Sequence, residues 1–183
     1  MKQLLKGLMI GAAVWIGLQP QAKAQETYKS SVEQDGQKVL VGRINEKILA
    51  NDSAFAWFYS GVNKYNPDPK MIKYISAYRD SFNVVVFAGT WCPDTHRLLP
   101  QFYRVMLASS YPADRIQLYG VDRDNKALNG EAAKYKLEKT PTFIILRHGR
   151  EVGRIVESVH RNMESDIVAL LDKMVAEEQG NGN

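Results

Sequence analysis

The 183-residue sequence contains a single cysteine, Cys92. An internal disulfide is therefore excluded, as is dithiol chemistry completed within one chain. Histidine is scarce too: His96, His148 and His160 are the three. Cys92 and His96 stand four residues apart, on one helical face, but two ligands are too few for a closed metal site. The other two histidines show no ligand spacing, so no metal and no other cofactor is expected. No apolar run has membrane length. The uncharged stretch Gly7 to Ala22 spans only 16 residues, against about 20 for a transmembrane helix. Charge of one sign is not in excess either. The formal net charge is +4, but Lys2, Lys6 and Lys23 lie in the first 24 residues, which carry no acid, so the rest of the chain holds +1. Nothing in that balance points to nucleic acid or an acidic surface as partner. There is no internal repeat and no long low-complexity segment.

What is present begins with a leader. Two early lysines precede the uncharged stretch, and Ala22-Lys23-Ala24 offers small residues at the spacing a signal peptidase requires. Residues 1–24 are expected to be a signal peptide cleaved after Ala24, which gives a periplasmic or secreted protein that does not span the membrane once cleaved. The residue directly after the cleavage point is Gln25 rather than a cysteine, which argues against a lipid-anchored lipoprotein. The mature chain from residue 25 is long enough for one domain with a real core. Export places the thiol in an oxidising compartment. There it is either a buried passive group or one kept for its reactivity.

Periodicity orders the remainder. Residues 25–36 are polar and read as loose. A strand is expected over 37–44 and a helix over 52–65, with Asp52 or Ser53 as cap and Phe55, Phe58 and Val62 on one face. The aromatic run Trp57, Phe58, Tyr59 reads as core. "NPDP" at 66–69 breaks the chain before a second helix. "NVVVFA" at 83–88 is a short continuous apolar run, as in a strand buried on both faces. A helix follows, with Leu99, Phe102, Tyr103 and Met106 at helical spacing. Then come a strand over 115–121, a short helix over 131–137, a hairpin of strands at 142–147 and 152–157, and a closing amphipathic helix. Strands alternating with helices imply an α/β fold with parallel pairs in its sheet; the closing hairpin adds an antiparallel pair.

Between the buried strand and its helix lies "TWCPDTHRLLP", residues 90–100. A cysteine at a helix start meets unsatisfied N–H groups and the positive end of the helix dipole, and both favour the reactive thiolate. Pro93 suits the first helical turn, where its missing N–H costs nothing. Pro100 falls inside the helix, where a proline costs about 3 kcal/mol unless the fold wants a bend. His96 in the first turn would oppose the dipole if charged, and is expected to face solvent. Asp122 and Asp124 read as turn acids that bond their own backbone.

This order and these residues resemble the thioredoxin superfamily. Trp91-Cys92 follows a buried strand, Pro100 lies where the family has a kinking proline, Thr140-Pro141-Thr142 opens a late strand, and "HGREVGRIVES" is similar to the closing hairpin. The likeness covers roughly residues 70–177, leaving 25–69 as an N-terminal extension packed on the domain and 178–183 as a disordered tail. The form WC-x-D-[ST] looks like exported bacterial thioredoxin-like proteins with poorly defined substrates. The resemblance implies a thioredoxin-like fold, a central mixed sheet flanked by helices, with Cys92 as the catalytic residue. Trp91, Pro93, Asp94, Thr95, Thr140 and Pro141 would then support the sulfur or the substrate, and the Thr140-Pro141 bond is expected to be cis and beside Cys92. Two departures stand out. Thr95 occupies the place of the second cysteine, where it would either fill space or donate its hydroxyl to a thiolate. Val86 occupies the place of a buried proton-carrying acid.

The expected function is thiol–disulfide chemistry through one cysteine, as a monothiol oxidoreductase or isomerase. Cys92 would form a mixed disulfide with an exported protein or a small thiol, released by a second substrate thiol or an external reductant. Trp91 and the backbone at Thr140-Pro141 would hold the substrate strand by edge pairing. The alternative is a non-catalytic binding module that keeps the fold and its groove. A thiol peroxidase of the peroxiredoxin type fits less well, because that type has a threonine three residues before its cysteine; here that residue is Gly89, and Thr90 is two before.

Overall fold

The computed structural model describes residues 27–180. The expected signal peptide, residues 25–26 and the last three residues lie outside them. Six strands form one mixed sheet in the order β1-β2-β4-β3-β5-β6: β1 (Tyr28–Val32), β2 (Lys38–Ile44), β3 (Asn83–Ala88), β4 (Ile116–Gly120), β5 (Thr142–Arg147) and β6 (Arg150–Val156). β3 and β4 run parallel, and the other neighbours are antiparallel. The helices are α1 (Glu46–Ala50), α2 (Ala56–Lys64), α3 (Pro69–Tyr78), α4 (Pro93–Ala108), α5 (Glu131–Lys134) and α6 (Met163–Gly180). This is the thioredoxin-like α/β arrangement, a mixed sheet flanked by helices. Among the described residues no helix is long and apolar enough to cross a membrane.

β3 shows why the sheet has two covered faces. Val84, Val86 and Ala88 point into the larger core, with Leu98, Leu99 and Phe102 of α4 and Ile167 and Leu171 of α6. Val85 and Phe87 point into a smaller core with Tyr119, Val121, Ala132 and Ile144. A strand buried on both faces has no polar alternation, which is what its sequence displays.

Three local departures from the periodicity have plain causes. Tyr28–Val32, read as loose, is an edge strand paired to β2; its side chains are mostly exposed, so it carries no hydrophobic signal. Asp52 caps a 3-10 turn, accepting from Ala54 N–H, before α2 begins at Ala56. Helix α6 continues through Gly180, so Glu178 to Gly180 are helical rather than part of a loose tail, and Glu178 pairs with Arg147.

The N-terminal segment is welded to the helix that carries the cysteine. α2 packs on α4 at a point where Gly61 meets Pro100, the buried proline inside α4. A Cβ built at Gly61 would stand 2.6 Å from the Pro100 Cβ. A pyrrolidine ring cannot rotate away, so Gly61→Ala should separate the two helices. We expect it to lower stability by roughly 1–3 kcal/mol, the usual cost of overpacking, read as a lowered denaturant midpoint with an unchanged m value.

Candidate active site around Cys92

β3 ends at Ala88, and the chain reverses in a turn closed by Cys92 N–H donating to Gly89 O at 2.9 Å. Cys92 is the N-cap of α4, in extended conformation, and Pro93 takes the first helical position. The first helical bond runs from His96 N–H to Cys92 O. The side chain of Cys92 makes no capping bond; its Sγ–H instead donates to Thr140 O at 3.5 Å. The Thr140-Pro141 bond is cis. β5 pairs antiparallel with β3, Phe87 opposite Thr142, and that register brings Thr140 against the cysteine. Thr140 Oγ1 accepts from Gly89 N–H at 3.0 Å and donates to Phe87 O. Thr140 thus holds both the turn and the sulfur.

The other expected site residues divide. Thr95 is fully buried, and its Oγ1 has no hydrogen-bond partner among the described residues. It fills the place of a resolving cysteine and gives the sulfur no bond in this state. Pro93 is exposed, and Asp94 is half-exposed and bound to Arg97 at 2.7 Å; neither converges on the thiol. Val86 is buried in the main core. Cys92 itself requires a correction. The thiol expected to be reactive is nearly covered: only 7% of the residue's surface is accessible, and Thr140 lies against it.

His96 requires another. Rather than facing solvent, its ring stacks on Trp57 with centroids 4.2 Å apart. Its Nε2 lies 2.7 Å from Thr90 O. A carbonyl only accepts, so Nε2 carries the proton and donates. The imidazole braces the turn, and this nitrogen is not free to act as a base. Thr90 is likewise committed: its Oγ1 donates to Lys38 O and accepts from Leu40 N–H. A hydroxyl spent on β2 is a poor candidate for binding peroxide.

Trp91 is held on several sides. Its Nε1–H donates to Val121 O at 3.0 Å. Its ring lies so close to Gly89 that a Cβ there would stand 2.7 Å from the indole. The Arg123 guanidinium lies over the ring, 5.1 Å from its centroid. Arg123 Nε donates to Glu33 at 2.6 Å, and its Nη2 to Asp35 at 3.0 Å. The Glu33 hydrogen bond raises the Arg123 pKa above its ordinary value, so the cation persists at every accessible pH. None of Arg123, Glu33, Asp35, Trp57 or Lys38 was expected near the site. Their partners lie far away in sequence, and no local pattern announces such contacts.

A sequence model of the thioredoxin family matches residues 70–173. This chain belongs to the thioredoxin family. Among its relatives, a thioredoxin H-type of Populus jackii is 29% identical over 103 residues, 56% of this chain and 70% of the poplar protein. A thioredoxin H-type of Fagopyrum esculentum is 36% identical over 80 residues, which spans 43% of this chain and only 64% of that relative. The reduced thioredoxin pre-protein of Schistosoma mansoni is a similar solved structure, at 26% identity and a TM-score of 0.37, covering 58% of this chain and 90% of that one. In this thioredoxin domain the cysteine at the head of α4 faces the cis-proline segment, and the strands and helices before residue 70 add to what the family model spans.

Proposed function

We propose that this thioredoxin-like protein acts in thiol–disulfide chemistry through Cys92 alone, as an exported, periplasmic or secreted protein. The observation that carries the reading is the placement of the chain's one thiol: at the N-cap of α4, against the Thr140 carbonyl that precedes cis-Pro141. The thiolate attacks one sulfur of a substrate disulfide. A Cys92–S bond forms as the substrate S–S bond breaks, and the second substrate sulfur leaves as a thiolate. Thr95 cannot reverse that step, since an unactivated hydroxyl is a poor nucleophile. Release therefore falls to a second thiol of the substrate, which is isomerisation, or to an external thiol, which is reduction. The leader-like start, with its small residues at Ala22 and Ala24, supports export.

A second reading is favoured by one specific observation. The sulfur is nearly covered and its proton is engaged by Thr140 O, as suits a binding module that keeps the groove without turnover. Alkylation separates the two. With iodoacetamide at neutral pH, the native protein is expected to react at a rate comparable to or above that of the urea-unfolded chain. Protection in the native state, with full reaction once unfolded, would sink the thiol-exchange reading and leave the binding module.

A further inference from the structure

The contacts around Trp91 go beyond what a shielding aromatic requires. The indole is fixed at Nε1 by Val121 O and packed against Gly89. It is covered by a guanidinium that is itself anchored to the turn between β1 and β2. Arg123 keeps 47% of its side-chain surface exposed, so its cation is presented to whatever approaches the indole. A ring face next to a reactive sulfur is a natural surface for a substrate chain to stack on. Here that surface is already occupied. The occupant is not held by the ring alone, because two carboxylates from a segment almost ninety residues earlier hold the other side of the fork.

We propose that Arg123 is a specificity-determining residue for exchange at Cys92, restricting the Trp91 surface to substrates that can displace its guanidinium or accept contact with it. Glu33 and Asp35 set the strength of that restriction. This rests on the reading of Cys92 as the exchanging thiol. It adds that the β1–β2 hairpin, through Arg123, belongs to the substrate-selecting part of the site. Small disulfides that do not reach the indole pass unaffected. Extended peptide disulfides meet the clamp.

The test is the rate of mixed-disulfide formation at Cys92 with two probes, oxidised glutathione and a longer neutral peptide disulfide. The proteins are wild type, Arg123→Gln, and Glu33→Gln with Asp35→Asn. Displacing an exposed cation–π contact corresponds to roughly a two- to fivefold gain. Arg123→Gln should gain by that factor with the peptide and stay level with glutathione. The double variant should move in the same direction. In a Trp91→Ala background the gain should vanish, because the removed cation then has no ring to cover. An unchanged or slower peptide reaction, or an equal gain without Trp91, overturns the proposal while leaving Cys92 as the exchanging thiol. If wild type reacts with neither probe, the thiol reading fails separately, and acrylamide quenching of Trp91, isolated by subtracting Trp91→Phe, decides the clamp. Greater quenching in Arg123→Gln supports a covered indole, and equal quenching overturns it.

Discussion

Incubated with oxidised glutathione at neutral pH, the protein should gain one glutathione at Cys92 and keep it. Formation needs an attacking thiolate, and the chain's one thiol stands at the N-cap of α4 beside cis-Pro141. Persistence follows from Thr95: the position that resolves an adduct in a dithiol site holds a hydroxyl. With no base bonded to it, that hydroxyl cannot attack sulfur. Intact mass should therefore show a single stable adduct that disappears on adding dithiothreitol. Cys92→Ser should show none, a complete loss. An adduct that decays without added thiol would mean that resolution occurs by a route this site does not contain.

The complementary expectation is a gain. Thr95→Cys should form a disulfide with Cys92 and reduce insulin in the presence of dithiothreitol. Residues three apart at a helix start are neighbours. A bridge needs Cα atoms within about 4.4–6.8 Å of each other. Cysteine is close to threonine in volume, so the fully buried site accepts it without overpacking. The substitution also removes a hydroxyl that has no partner. Intramolecular resolution replaces a bimolecular step, so the insulin rate should exceed wild type by about tenfold or more. A variant that forms the bridge yet stays at the wild-type rate would place the limit either at Val86, where no acid is present to move protons, or at a blocked groove.

Apart from the short helix α1 (Glu46–Ala50), which was not anticipated, the order of strands and helices was legible from residue 37 onward because the buried elements carry their own periodicity. β3 is uniformly apolar, and α4 repeats Leu99, Phe102 and Met106 toward the core. The cysteine, its helix-start position and the cis-proline partner were legible through short motifs. β1 was not, since an edge strand with exposed side chains has no hydrophobic pattern to read. The bracing of the site was not legible either. Trp57 read as core, yet it is half-buried and stacks on His96. His96 read as a solvent group, and Arg123 was not singled out at all. Each of these depends on contacts between distant segments, and the sequence around each residue looks ordinary.

The bonds that shape the thiol's surroundings close very long loops. Leu40 to Thr90 spans 50 residues, Thr140 to Cys92 spans 48, and Glu33 to Arg123 spans 90. Closing such loops carries an entropy cost that only the assembled sheet and core can offset, so none of these contacts persists in a partly folded chain. The chemical character of Cys92 is thus acquired late. During synthesis it is an ordinary exposed thiol, open to any oxidant or stray disulfide it meets. Its shielding by Thr140 arrives only with the last strands. How quickly the chain folds therefore sets what fraction of molecules reach the native state with the sulfur still reduced.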